Sequence, residues 1–156
     1  MQENTETVPG NALADPGSQA LVGSEHAHIG QAWWFALPMV QNQSSKPLEL
    51  IDAKVLDLPK GLKVREYKAF NSRETDGVGL IFSDGDSQFP VAQYTDYSKR
   101  HIQLNPKEDN SYYYSVKVLV TGKISGEASQ CRFTYEQDGS RYRQDIPCRF
   151  TLSLEK

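Results

Sequence analysis

Apolar and polar side chains alternate along much of this chain, most regularly near its end. Cys131, Phe133 and Tyr135 share one side of a segment whose other side carries Arg132, Thr134 and Glu136. Further on, Ile146, Cys148, Phe150, Leu152 and Leu154 alternate with Pro147, Arg149, Thr151, Ser153 and Glu155. Successive strand side chains point to opposite faces, so this period of two predicts half-buried β-strands with a thiol on the core side of each. Asp138-Gly139 lies between them, a pair that tolerates positive φ and predicts a short hairpin turn. Residues 112–121 read the same way, with Tyr112, Tyr114, Val116, Val118 and Val120 inward and Tyr113, Ser115, Lys117 and Thr121 outward.

A first structured segment is predicted over residues 21–40. There Trp33, Phe35, Leu37 and Met39 form one phase, and Trp34, Ala36, Pro38 and Val40 the other. With both phases apolar, the segment is either covered on both faces or carries an aromatic patch outside. Pro38 cannot donate to a ladder and implies an edge or a bulge. Strands over 48–58 and 62–70 follow, separated by a break at Pro59-Lys60-Gly61, then a short strand over 78–82. An irregular strand within 89–96 and a short segment over 101–104 complete the set. Polar or glycine-containing stretches at 71–77, 83–87 and 122–126 are read as turns. Helical periodicity is absent, as are internal repeats and any sign of a second domain. The expected fold is all-β: an antiparallel sandwich of about eight strands, formed by residues 21–156 as a single domain.

Residues 1–20 differ from the rest. Up to Gln19, Val8, Leu13 and two alanines are the apolar side chains after Met1, and Pro9-Gly10 and Pro16-Gly17 punctuate the stretch. Such a composition buries too little to offset its ordering entropy, so a disordered tail or tether is expected there.

The strand pattern also carries a resemblance. Pro38-Met39-Val40-Gln41-Asn42 ends an apolar strand in an Asn-containing turn, and Pro47-Leu48-Glu49-Leu50 opens the next. Together with the long alternating strands, this resembles the immunoglobulin-like modules of secreted bacterial proteins and lipoproteins over most of residues 21–154. The resemblance implies an immunoglobulin-like β-sandwich. It departs from antibody domains, because Cys131 and Cys148 lie too close in sequence to be their widely separated intersheet pair.

Charge narrows the function classes. The 156-residue chain carries a net charge of −3, and its lysines and arginines are scattered. Lys99-Arg100-His101 is the one dense basic run and sits near Asp96, so the basic stripe of a nucleic-acid binder is missing. No run approaches the ~18–20 apolar residues of a transmembrane helix. The first residues do not read as a signal peptide either. That leaves a cytosolic protein or a mature form lacking its leader. The polar tail, the paired cysteines and the strand-rich body favour the second, placing the protein in a secreted or cell-surface setting.

Cys131 and Cys148 are candidates for a disulfide. A two-residue Asp138-Gly139 turn sets Cys131 opposite Ile146. A four-residue loop, or bulges near Pro147, would bring Cys148 opposite instead, within the Cα separation of about 7 Å that a bridge needs. His26 and His28 share one strand face and could begin a metal site completed by Glu25, His101 or Met39, but no full ligand set is visible. Asp84-Gly85-Asp86-Ser87 lacks the spacing of a calcium loop and reads as a polar turn. Motifs for nucleophilic, zinc-protease or phosphate chemistry are absent. The expectation is therefore a non-enzyme with no cofactor and no metal. Trp34, Tyr94, Tyr97, Arg100 and Tyr113 fall on outward phases or in loops and form the expected contact surface for another protein, since aromatic and arginine side chains dominate such surfaces. A metal-binding secreted protein, a small inhibitor or immunity-type protein and a glycan-binding module are the competing expectations.

Overall fold

A computed structural model describes residues 7–15, 22–75 and 77–156. Its strands in chain order are β1 (Val8–Pro9), β2 (Leu13–Ala14), β3 (Val22–Ala27), β4 (Ala32–Ala36), β5 (Gln41–Asn42), β6 (Leu48–Val55), β7 (Lys60–Asn71), β8 (Ile81–Ser83), β9 (Ile102–Leu104), β10 (Tyr112–Ser125), β11 (Ala128–Gln137) and β12 (Ser140–Leu154). The all-β expectation holds. The single sandwich of about eight strands does not: among the described residues, twelve strands form a six-stranded sheet, a four-stranded sheet and a two-stranded one. The six-stranded sheet runs β12-β11-β6-β9, with β1 and β3 both lying parallel on the outer edge of β12. The four-stranded sheet runs β7-β10-β4-β8, and β2 pairs with β5.

The β11–β12 hairpin closes at Asp138 and Gly139, which have φ of 52° and 77°. Both backbones therefore adopt the left-handed region that a tight two-residue turn requires. Cys131 accordingly faces Ile146. Yet Cys131 and Cys148 are bonded, with Cα atoms 5.7 Å apart. Between the pairs Gln130–Pro147 and Ala128–Phe150, β12 has one residue more than β11. This bulge at Cys148-Arg149 bends the strand, and the thiol diagonal to Cys131 on the same face comes within bonding reach. The turn and the bridge expected as alternatives coexist.

The two large sheets pack face to face. Phe35 of β4 stacks on Phe150 of β12 with ring centroids 4.1 Å apart, and Tyr114 of β10 meets Phe133 of β11 edge-on at 6.3 Å. Leu50, Val116, Val118, Cys131, Tyr135, Ile146 and Leu152 fill the same core. The period-two reading of β10, β11 and β12 is thus correct on its inward side.

Several boundaries differ from expectation. Residues 21–40 are not one strand: the chain leaves the six-stranded sheet after β3, turns at Gly30 (φ 90°) and enters the four-stranded sheet as β4. Gly61 does not break a strand but continues one. A Cβ there would lie 2.3 Å from the Lys123 carbonyl oxygen, so only glycine lets β7 approach the end of β10 so closely. The stretch over 89–96 is no strand, and its regular part is a 3₁₀ turn at Val91–Gln93.

The expected tail is corrected for residues 7–15. Val8 and Pro9 pair with Tyr142 and Arg143, and the Gly10 N–H donates to the Arg143 carbonyl at 2.9 Å. Ala12 and Leu13 are buried in the main core. The Ala12 N–H donates to the Tyr135 hydroxyl at 3.1 Å, and Leu13 exchanges two hydrogen bonds with the Gln144 side-chain amide. Average composition concealed this, because two well-placed apolar side chains and a set of backbone partners suffice to dock so short a segment. The remainder of the expected tail, residues 1–6 and 16–20, lies outside the described residues.

Candidate binding surface

The link between β8 and β9 builds most of the candidate surface. It crosses the outer face of the four-stranded sheet and covers an aromatic cluster of Trp34, Phe70, Phe82, Phe89 and Tyr113. The expectation that Trp34 and Tyr113 contact a partner is therefore not supported by their placement. Each is only 1% exposed. Their phase points away from the sandwich core, but the connections before and after β8 fill the space that solvent would otherwise occupy. Trp34 stacks near Phe82 at 6.2 Å, and its indole N–H donates to Asp84 at 2.9 Å. The Tyr113 hydroxyl accepts from the Gly79 N–H at 3.2 Å. Tyr94 packs edge-on against Phe70 and Phe89, with centroids 6.2 and 5.1 Å away, and so belongs partly to this cluster.

Tyr97 and Arg100 differ. Tyr97 is half-buried and meets the Tyr112 ring edge-on at 5.1 Å, while the exposed Arg100 places its guanidinium carbon 5.3 Å from the Tyr97 ring centre. The Tyr97 hydroxyl donates to Glu74 at 2.6 Å, a bond that raises its pKa above the ordinary phenol value. The backbone beneath is stitched to the edge of β7: the Tyr97 N–H donates to the Ala69 carbonyl, and the Asp96 carboxylate accepts from the Ala69 and Ser98 N–H groups. Burial disfavours the Asp96 charge, but those N–H groups outweigh it and hold the carboxyl below its usual range. Of the residues expected to form a contact surface, the structure joins Tyr97 and Arg100 and adds Tyr112. The alternation marks Tyr112 as inward, and it does pack against the main core, but only half-buried at the start of β10.

Histidines gather elsewhere. His26 and His28 flank the same carboxylate, Glu155, with Nδ1 and Nε2 at 3.5 and 2.7 Å from its two oxygens. Two of the expected completing residues lie elsewhere: Met39 packs against the aromatic cluster, and the His101 Nδ1 lies 2.8 Å from Glu49. The Asp84 carboxylate is held by Trp34 and by Lys117 at 3.2 Å, and Asp86 accepts from the Gln88 N–H, as a polar turn requires. Glu136, on the outer face of β11, is bound by Arg141 at 2.6 Å, which lowers its pKa.

No protein-family model matches the chain, and no curated protein matches it either. Among the described residues, no helix is long and apolar enough to cross a membrane.

Proposed function

We propose that this protein is an extracytoplasmic, non-catalytic module that binds another protein through Tyr97, Arg100 and Tyr112. The observation that carries this reading is the Arg100–Tyr97–Tyr112 series, in which an exposed guanidinium lies over one of two half-buried, mutually packed rings. Side chains held this way lose little further freedom on binding, and arginine and tyrosine are the types that most often dominate contact energetics. The Cys131–Cys148 bridge supports the compartment, since structural disulfides persist in oxidising settings. Kinship with the immunoglobulin-like modules of secreted bacterial proteins belongs to the same proposal, supported by the face-to-face packing of two sheets. The test is site-specific photo-crosslinking in the native cells. A photoreactive residue at Tyr97 is expected to yield one discrete adduct with another protein, and the same residue at Leu56 on another part of the surface none. No adduct at Tyr97, or identical adducts from both positions, overturns the reading.

A further inference from the structure

A second chemistry lies on the outer face of the six-stranded sheet. Glu49 of β6 and Glu136 of β11 are directly opposite one another, and His101 immediately precedes β9, the neighbour of β6 on its other side. Like charges at directly opposed strand positions are unfavourable, and neighbouring donors offset the repulsion here. Arg141 binds one oxygen of Glu136, and His101 hydrogen-bonds Glu49. One ligand atom from each of Glu49, His101 and Glu136 nevertheless lies within 4.8 Å of the other two. Beside them opens a hollow of about 290 Å³ lined by Pro47, Glu49, Gln103, Glu136 and Asp138, among others.

The geometry points to a zinc-class divalent cation site formed by Glu49, His101 and Glu136, the two carboxylates also lining the hollow. The donor set combines one imidazole nitrogen with two carboxylate oxygens. Zinc accepts both at about 2.0–2.2 Å, whereas calcium and magnesium prefer oxygen donors alone. Two ligands of one tetrahedral ion stand roughly 3.4 Å apart at those bond lengths. The three donors therefore need only side-chain rotation to converge, and the strands that carry them stay in register. On binding, the Nδ1–Glu49 hydrogen bond is exchanged for two metal bonds, and the ring proton resides on Nε2. Arg141 continues to hold one Glu136 oxygen and orients the other, as outer hydrogen-bond partners of metal ligands commonly do. Such a site departs from the expectation of a chain without a metal, and the Glu49 contact takes His101 away from the His26–His28 pair.

Zinc ion itself is the probe. Titration of the metal-free protein with zinc is expected to show saturable one-to-one binding that magnesium does not compete away. His101→Ala and Glu136→Gln should each weaken it at least tenfold. The double variant His26→Ala/His28→Ala should bind like the parent. Thermal midpoints in chelator report whether each variant is folded, and Glu49→Gln serves in place of any that is not. Absence of saturable binding overturns the site. So does binding that survives His101→Ala but is lost with His26 and His28.

Discussion

Cys131 is bonded to Cys148 although Ile146 is the residue directly across from it. The bulge in β12 reconciles the two, so a tight turn and a diagonal bridge share one hairpin. The bridge limits how far the unfolded hairpin can separate, which in the chain-entropy model contributes roughly 3 kcal/mol. Replacing both cysteines by alanine should lower unfolding free energy by about that amount, read from urea midpoints at constant slope. Intact mass should show no free thiols in protein made under oxidising conditions. Two titratable thiols in that folded sample would remove the bridge.

Leu13 offers a direct measure of how firmly the N-terminal segment is docked. It is 2% exposed, in contact with the main core. Leu13→Ala should cost about 2–5 kcal/mol, as truncation of buried leucines does. A loss below about 1 kcal/mol would restore the view of this segment as a tail.

Two aspartates should make stability depend on acid. Burial works against charge on both Asp57 and Asp96, but donors overcome it: the Ser129 hydroxyl with the Ser129 and Gln130 N–H groups at Asp57, and the Ala69 and Ser98 N–H groups at Asp96. Each carboxyl is therefore a stronger acid folded than unfolded. The stabilisation is complete above the unfolded value of about 3.9 and disappears as pH falls through the lower folded value. Stability should thus rise with pH through the range just below about 4. The Asp96→Asn variant should show a shallower rise, measured by denaturant unfolding across that range. An unchanged slope would exclude Asp96 as a contributor.

The aromatic residues of the β8–β9 link should separate into two groups. Tyr94→Ala removes a ring packed on Phe70 and Phe89 and should lower the thermal midpoint more than Tyr97→Ala does. Tyr97→Ala should instead weaken partner binding by about thirtyfold, the equivalent of roughly 2 kcal/mol. The reverse pattern, with binding intact and stability lost at Tyr97, would move the contact surface elsewhere.

These contrasts show where sequence reading reaches and where it stops. Alternation placed Val116, Val118, Phe133 and Phe150 on the core side, because one face of each strand is excluded from water and the period of two follows directly. Asp138-Gly139 announced its own turn through backbone chemistry. Trp34 and Tyr113 were assigned to the correct side of their sheet yet read as exposed. Their cover comes from the connections on both sides of β8, Thr75 and Gly79 over Tyr113 and Asp84 beside Trp34, without a period of their own, so nothing local reveals it. The Glu49–Glu136 pair was invisible for a related reason. It depends on strand register between β6 and β11, and a bulge between Leu50 and Asp52 shifts that register. The neighbours of His101 are likewise set by the pairing of β9 with β6, which no local pattern encodes.

The outer edge of β12 carries a further consequence. β1 closes it near Tyr142, and β3 closes it from Phe150 to Leu154. Among the described residues, the segments synthesised first therefore dock on the strand synthesised last. During translation β1 and β3 have no template to join, and until they arrive β12 presents open hydrogen-bonding groups to any other strand it meets. Docking of β1 and β3 must wait for β12 to emerge, and a fragment lacking β1 and β3 should expose that edge and pair with copies of itself.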